Sequence, residues 1–257
     1  TLETWSEGGN LLMTGFVKPH HPFDPPASWL DAYTPDALSL LPGWTDRCFN
    51  HDLALSKGYF PHENLTEAAL RRIMAGYYAS IEHIDAQVGR MVSILKQRGL
   101  YDNTMIIYTS DHGEYMGFHH LLLKGNYLYD PLVKVPLIIK YPQGTHQPGA
   151  HPPSGVSRAL TCNLDLAPTI LACAGVAPAS AMHGRNLTLE TGQRDLVFCE
   201  SGRGNVVMAR SATHMLIIRR KPKLTFFYDL EKDPLELDNR ADAPENQEII
   251  ASLSKAV

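Results

Sequence analysis

The chain has 257 residues, 44% of them hydrophobic and 19% charged, and a formal net charge of −4. That length holds one large domain or two small ones around a sizeable core. The mild acidity excludes the basic field of a nucleic-acid binder, and no apolar run reaches the about 18 residues of a membrane-spanning helix.

In chain order, residues 10–18, NLLMTGFVK, read as a short buried strand. They lead into PHHPFDPP, where four prolines in eight residues forbid both helix and central strand. Residues 24–63 stay irregular, a length more often found in functional loops than in plain connections. Residues 65–98 form the clearest helix. Ile73, Tyr77, Ile81, Ile84, Val88, Met91 and Leu95 recur at steps of three and four, Thr66 is placed to cap the start, and Gly99 to stop the end. His83 and Asp85 inside it read as solvated or locally paired.

A turn, the apolar strand Thr104–Thr109 and a polar loop follow, then a strand over Val135–Tyr141 and a Pro/Gly/His-rich loop over 142–157. Helix, tight turn and all-apolar strand in succession predict an α/β fold with a mixed, mainly parallel sheet. A short strand near Arg158 and a helix over about Asn163–Ala174, ended by Gly175, complete a first region, 1–180. Beyond it, LVFCES, NVVMARS, HMLIIRR and LTFFYDL read as successive strands without helices, an antiparallel sheet, and ENQEIIASLSKAV as a terminal amphipathic helix. Residues 181–257 are therefore expected to form a small C-terminal subdomain.

The chemistry concentrates in residues 109–124, TSDHGEYMGFHHLLLK. Asp111 and His112 lie just past a strand's carboxyl end, where open α/β sheets bind ligands, and together they can reach one metal ion. Gly113 lets the backbone turn behind them. Lys124 beside a metal requires an anion between the two, which suits a sulfate or phosphate ester. His119 and His120 offer one orienting group and one surface group. His20 and His21, bounded by Pro19 and Pro22, are held stiffly enough to aim a proton donor at a leaving group. Each residue also has a plain reading: a capping Asp, surface histidines, a solvated Lys. The four cysteines (Cys48, Cys162, Cys173 and Cys199) are scattered without a C-x-x-C pair and indicate neither a zinc site nor a disulfide framework. No nucleophile is evident. There is no G-x-S-x-G elbow, and Cys199 with Arg203 is a weak pairing within the strand-rich tail.

Together these segments resemble the sulfatase family of the alkaline phosphatase superfamily. TSDHGEYMGFHHLLLK follows that family's S-D-H-G-[DE]-x-x-G-x-H-x-L-x-x-K, and YDPLVKVPLIIKYP its next element. GFVKPHHPFDPP resembles its P-H-x-P element, LDLAPTILACAGV its D-[IL]-x-P-T helix, and FFYDLEKDPLELDNRA its late D-P-x-E element. The resemblance implies a metal-dependent sulfuric ester hydrolase with an alkaline phosphatase-like core. In it Asp111 and His112 ligate a divalent cation, calcium first and manganese or magnesium as alternatives. Lys124 contacts the sulfuryl oxygens, His20 contacts the group and helps the leaving oxygen depart, and His119 supports. The substrate would be a small-molecule or saccharide sulfate ester. His112, where many sulfatases carry Asn, resembles instead the branch of phosphonate monoester and phosphodiester hydrolases.

The family's opening strand with paired acidic ligands, and its nucleophile element that matures to formylglycine, have no counterpart here. The chain thus resembles the C-terminal half or more of a sulfatase. It is expected to be incomplete or inactive without that segment, to associate with it or with a second copy, or to act as a non-catalytic anion- or metal-binding form. Compartment is not assigned.

Overall fold

The structure, a computed structural model, describes residues 1–5, 8–45, 49, 65–143, 155–189 and 194–257. It is α/β and divides into two compact units. One comprises Thr1–Ile107, Glu114–Gly125 and Ile138–Gln143; the other comprises Tyr108–Gly113, Asn126–Leu137 and Gly144–Val257.

The first unit is built on a long helix. A single turn, α1 (Ala27–Leu30), precedes α2, Glu67–Gln97. The Thr66 side chain accepts the Ala69 N–H at 3.2 Å, which satisfies one of the donors a helix start leaves unpaired. Gly99 leaves the helix at φ 69, a conformation that costs glycine little. Leu70 and Met74 form the core face with Leu65, Met116 and Leu122, and the expected Ile73 and Tyr77 pack at its margin. Small residues on α2 let backbone come close. A Cβ at Gly76 would press on the Phe23 carbonyl oxygen, and the Phe23 ring meets Tyr77 edge-on at 5.7 Å. The Pro-His-His-Pro-Phe loop is seated on the helix in this way.

Strands β1 (Ile106–Thr109) and β2 (Leu137–Lys140) pair as a two-stranded sheet. In the second unit a one-turn helix α3 (Asp130–Val133) and α4 (Leu166–Cys173) precede four strands. These are β3 (Val197–Ser201), β4 (Val206–Arg210), β5 (His214–Arg219) and β6 (Leu224–Asp229), antiparallel in the order β3-β4-β5-β6. Helix α5 (Gln247–Lys255) places Leu253 in a cluster with Ala209, Leu216 and Phe227 on one sheet face.

Three expectations change. Residues 10–18 are not a strand: they make no sheet pairing, and Leu11, Met13 and Val17 are 77%, 93% and 82% exposed. An apolar run becomes a buried strand only when neighbours pair with its backbone, and none of the described residues does so. No strand forms at Arg158 either, where the backbone runs without sheet pairing. Of the expected core strands only β1 and β2 form among the described residues, so the core sheet there has two strands, while the four-stranded antiparallel sheet is the one expected of residues 181–257. Most of 142–157 and the later part of 24–63 lie outside the described residues.

Candidate functional site

The first unit brings His20 and Lys124 together across 104 positions of sequence, with Lys124 Nζ 2.8 Å from His20 Nε2. His20 Nδ1 lies 2.7 Å from the His21 carbonyl oxygen. A carbonyl can only accept, so Nδ1 carries the proton there and Nε2 is left to accept from the lysine. The His20 ring stacks on His21 at 4.1 Å. Burial first, then the neighbouring His20, Lys124 and Lys18, hold the His21 imidazole below its ordinary value. Lys18 is itself bound to the Asp24 carboxylate and the Pro22 carbonyl.

Lys124 ends a tightly wound loop. Met116, Gly117, His119, His120 and Leu123 all have positive φ. Gly117 packs so closely on Leu70 and Trp44 that a side chain would collide, and its N–H bonds the Leu121 carbonyl at 2.8 Å. His119 is fully buried, stacked on Phe118 at 4.1 Å and meeting Phe49 edge-on at 5.0 Å, while its N–H reaches the Gly43 carbonyl at 3.0 Å. His120 stacks on Trp44 at 4.0 Å, with Nε2 2.6 Å from the Thr45 carbonyl oxygen. Both histidines therefore hold the loop in place.

Glu114, given no role from sequence, is a further member. Burial pushes its carboxyl up to about 7, against the opposing pull of the Met116, Leu123 and Tyr115 N–H groups and the Lys124 charge. Its position among the acids of the signature was the available signal.

In the second unit Asp111 and His112 follow β1. Asp111 Oδ1 accepts the His112 N–H at 3.0 Å. His112 Nδ1 lies 2.8 Å from the Gly113 carbonyl oxygen, so Nδ1 donates and Nε2 keeps its lone pair. Nε2 stands 3.9 Å from Asp111 Oδ2, close enough for one cation to reach both donors. The Asp111 side chain is 89% exposed. A hard cation takes about six to eight ligands. The described residues hold no group of three or more His, Cys, Asp or Glu that could hold a metal ion.

This loop is held from behind. Gly113 N–H bonds the Leu132 carbonyl at 2.8 Å, and a Cβ at Gly113 would collide with the Pro131 carbonyl oxygen. Ser110 Oγ donates to the His112 carbonyl at 2.7 Å, and Asn163 Nδ2 to the Ser110 carbonyl at 3.0 Å. Helix α3, which carries Pro131 and Leu132, is tied in turn to the C-terminal sheet. Asp130 takes both arms of the Arg210 guanidinium at 2.8 Å, and its N–H donates to Glu236 Oε2 at 3.1 Å. Glu236 is fully buried at φ 54, and burial, with the Asp130 charge adding, raises its carboxyl well above the ordinary value. Sequence reading passed over this linkage because its partners lie 80 and 106 residues apart. Cys199 sits in β3, and burial raises its thiol, which makes it a poor nucleophile.

The sulfatase family profile matches residues 7–176. The chain belongs to the sulfatase family. It is 30% identical to an arylsulfatase of Clostridium perfringens over 258 residues, covering 95% of this chain and 52% of that one. It is 29% identical to a choline-sulfatase of Rhizobium meliloti, covering 91% of this chain and 46% of the relative. The phosphonate monoester hydrolase of Silicibacter pomeroyi superposes with a TM-score of 0.75 at 27% identity, over 93% of this chain and 53% of that one. The chain thus spans about half the length of the curated relatives it matches. No described helix of this sulfatase-family chain is long and apolar enough to cross a membrane.

Proposed function

We propose that the protein works in the hydrolysis of sulfate esters, with Lys124 and His20 handling the anionic group and Asp111 and His112 contributing ligands to a divalent cation. The observation that carries this reading is the Lys124–His20 contact of 2.8 Å. An ammonium and an imidazole side by side present polar groups to the oxygens of a sulfuryl group. Lys124 Nζ can neutralise charge that grows on those oxygens as the ester bond breaks. With His20 Nδ1 donating to the His21 carbonyl, Nε2 accepts from Lys124 and is the ring atom through which a proton of the Lys124 ammonium can pass to the departing alcohol. A bound divalent cation, calcium by family resemblance, supplies Lewis-acid polarisation of the same kind of oxygen. No residue of this chain is assigned as nucleophile. The mainly parallel core sheet of the superfamily belongs to this reading as well.

A second reading is hydrolysis of phosphonate monoesters or phosphodiesters. It is favoured by His112 beside Asp111 and by the likeness to the Silicibacter pomeroyi enzyme. The test is the rate of 4-nitrophenyl sulfate and of a 4-nitrophenyl phosphonate ester by the full-length gene product with calcium, beside Lys124→Ala. The sulfate reading expects the sulfate to be the better substrate and the variant to lose about 10²-fold, as for loss of one oxyanion donor. Preference for the phosphonate selects the second reading. Wild-type rates in Lys124→Ala would remove Lys124 from the site.

A further inference from the structure

Arg219, the last residue of β5, is 6% exposed, and its Nη1 is buried without a hydrogen-bond partner. The residues opposite it on β4 and β6 are Val206 and Leu224, both apolar. Arg210 lies on the same sheet face, opposite Met215, and its charge is met by Asp130. One end of the face therefore carries a paired guanidinium and the other end an unpaired one. Arginine cannot shed its proton, so a buried guanidinium without an acceptor is costly unless an anion arrives from outside.

The surroundings point the same way. The β3–β4 and β5–β6 turns lie side by side at that end. Arg220 N–H bonds the Asn205 carbonyl at 2.8 Å, Asn205 Nδ2 the Lys221 carbonyl at 3.1 Å, and Lys221 N–H returns to Asn205 Oδ1 at 3.0 Å. These hairpins carry Arg203, Arg220, Lys221 and Lys223 in a chain whose net charge is negative, and Glu200, the one acid up to Tyr228, has Oε2 beside the same Gly204 position that Arg220 Nη1 approaches. Among the described residues none of these cations, nor Arg219, takes part in an ion pair. Arg203 is held at φ 56 between Gly202 at φ 60 and Gly204 at φ 76, a strained position for a residue with a side chain. Ser201 Oγ, at the foot of that turn, donates to Asn126 Oδ1 at 2.7 Å.

We propose that the Arg219 guanidinium binds a tetrahedral oxyanion, a sulfate or phosphate group, attracted by the positive charge of the adjoining turns. The fork of Arg219 matches two oxygens of such a group, and the turn residues supply the rim charge. The site is independent of the reading given to Lys124 and His20.

The test follows melting temperature against inorganic sulfate in Lys124→Ala protein, with sodium chloride matching ionic strength. The expected result is a saturable rise at millimolar sulfate, unlike the unsaturating rise that sulfate gives any protein. Arg219→Met should raise the melting temperature in chloride, because it replaces an unpaired buried charge with an apolar side chain, and should abolish the sulfate shift. Arg220→Ala/Lys221→Ala should weaken sulfate binding about tenfold while leaving the fold intact. A disulfated disaccharide that saturates well below inorganic sulfate would identify the anion as part of a saccharide; equal concentrations would identify the free ion. An undiminished sulfate shift in Arg219→Met, or a lower melting temperature for that variant in chloride, overturns the proposal.

Discussion

Gly113 shows most directly how one position governs the Asp111–His112 pair. Its missing Cβ lets β1's exit pass against the Pro131 carbonyl. Gly113→Ala has no flexible neighbour to yield, since the obstruction is backbone. We expect about 1–3 kcal/mol of destabilisation in urea unfolding, the usual range for overpacking, together with loss of any calcium-induced rise in melting temperature. Asp165 gives a pH test. Burial pushes its carboxyl up, but the Arg194 guanidinium and the Arg185 and Cys162 N–H groups outweigh burial and hold it below its ordinary value. A lowered value in the folded state means that the charged form stabilises the fold. That contribution is complete above the unfolded value of about 3.9 and is lost as pH falls through the folded value. Melting temperature should therefore drop below about pH 4 in the wild type and change less in Asp165→Asn. Equal slopes in the two proteins would count against the Arg194 pairing.

At the scale of elements, the fold delivers its side chains by stacking one short piece on another. Helix α2 seats the His20 loop through Gly76, and helix α3 holds the Asp111–His112 loop through the Leu132 carbonyl. Helix α3 is only four residues long and could not persist alone; the Arg210–Asp130 pair and the Glu236 carboxyl anchor it to the sheet. Asp130→Ala leaves the half-buried Arg210 guanidinium with the Ser211 carbonyl as its remaining hydrogen-bond partner, and breaking such a pair costs about 3 kcal/mol. The same variant should weaken calcium binding about tenfold in a calorimetric titration, the lower range for loss of a supporting group around a metal site. Lost stability with unchanged calcium affinity would confine the linkage to a structural part.

At the scale of the molecule, the sequence pointed to residue types for a candidate site and carried no sign of their contacts. The resemblance pointed to Asp111, His112 and Lys124 through the 109–124 signature and to His20 through the separate P-H-x-P element. Helix α2 was legible because its apolar period, its Thr66 cap and its Gly99 stop agree. The four C-terminal strands were legible because they follow one another with only turns between. The 2.8 Å contact of Lys124 with His20 and the Glu236–Asp130–Arg210 linkage join distant segments, and local pattern carries no record of such pairings. Residues 10–18 failed for the opposite reason: composition suggests a strand, but burial depends on neighbours that composition does not specify. Their exposure makes a prediction for the whole chain. Dilute peroxide should oxidise Met13, 93% exposed, well before the buried Met74, Met116, Met208 and Met215, as read by peptide mapping. Protection of Met13 would show that these residues are covered in solution.

The central claim is that Lys124 and His20 act on one anionic group as a unit. The most direct measurement is a double-mutant cycle of His20→Ala and Lys124→Ala on kcat/KM for 4-nitrophenyl sulfate in the full-length gene product with calcium. Residues in contact that serve one step are not additive. If the two act as one unit, the double variant is little slower than the worse single variant. Losses that multiply, as for two independent sites, would contradict it.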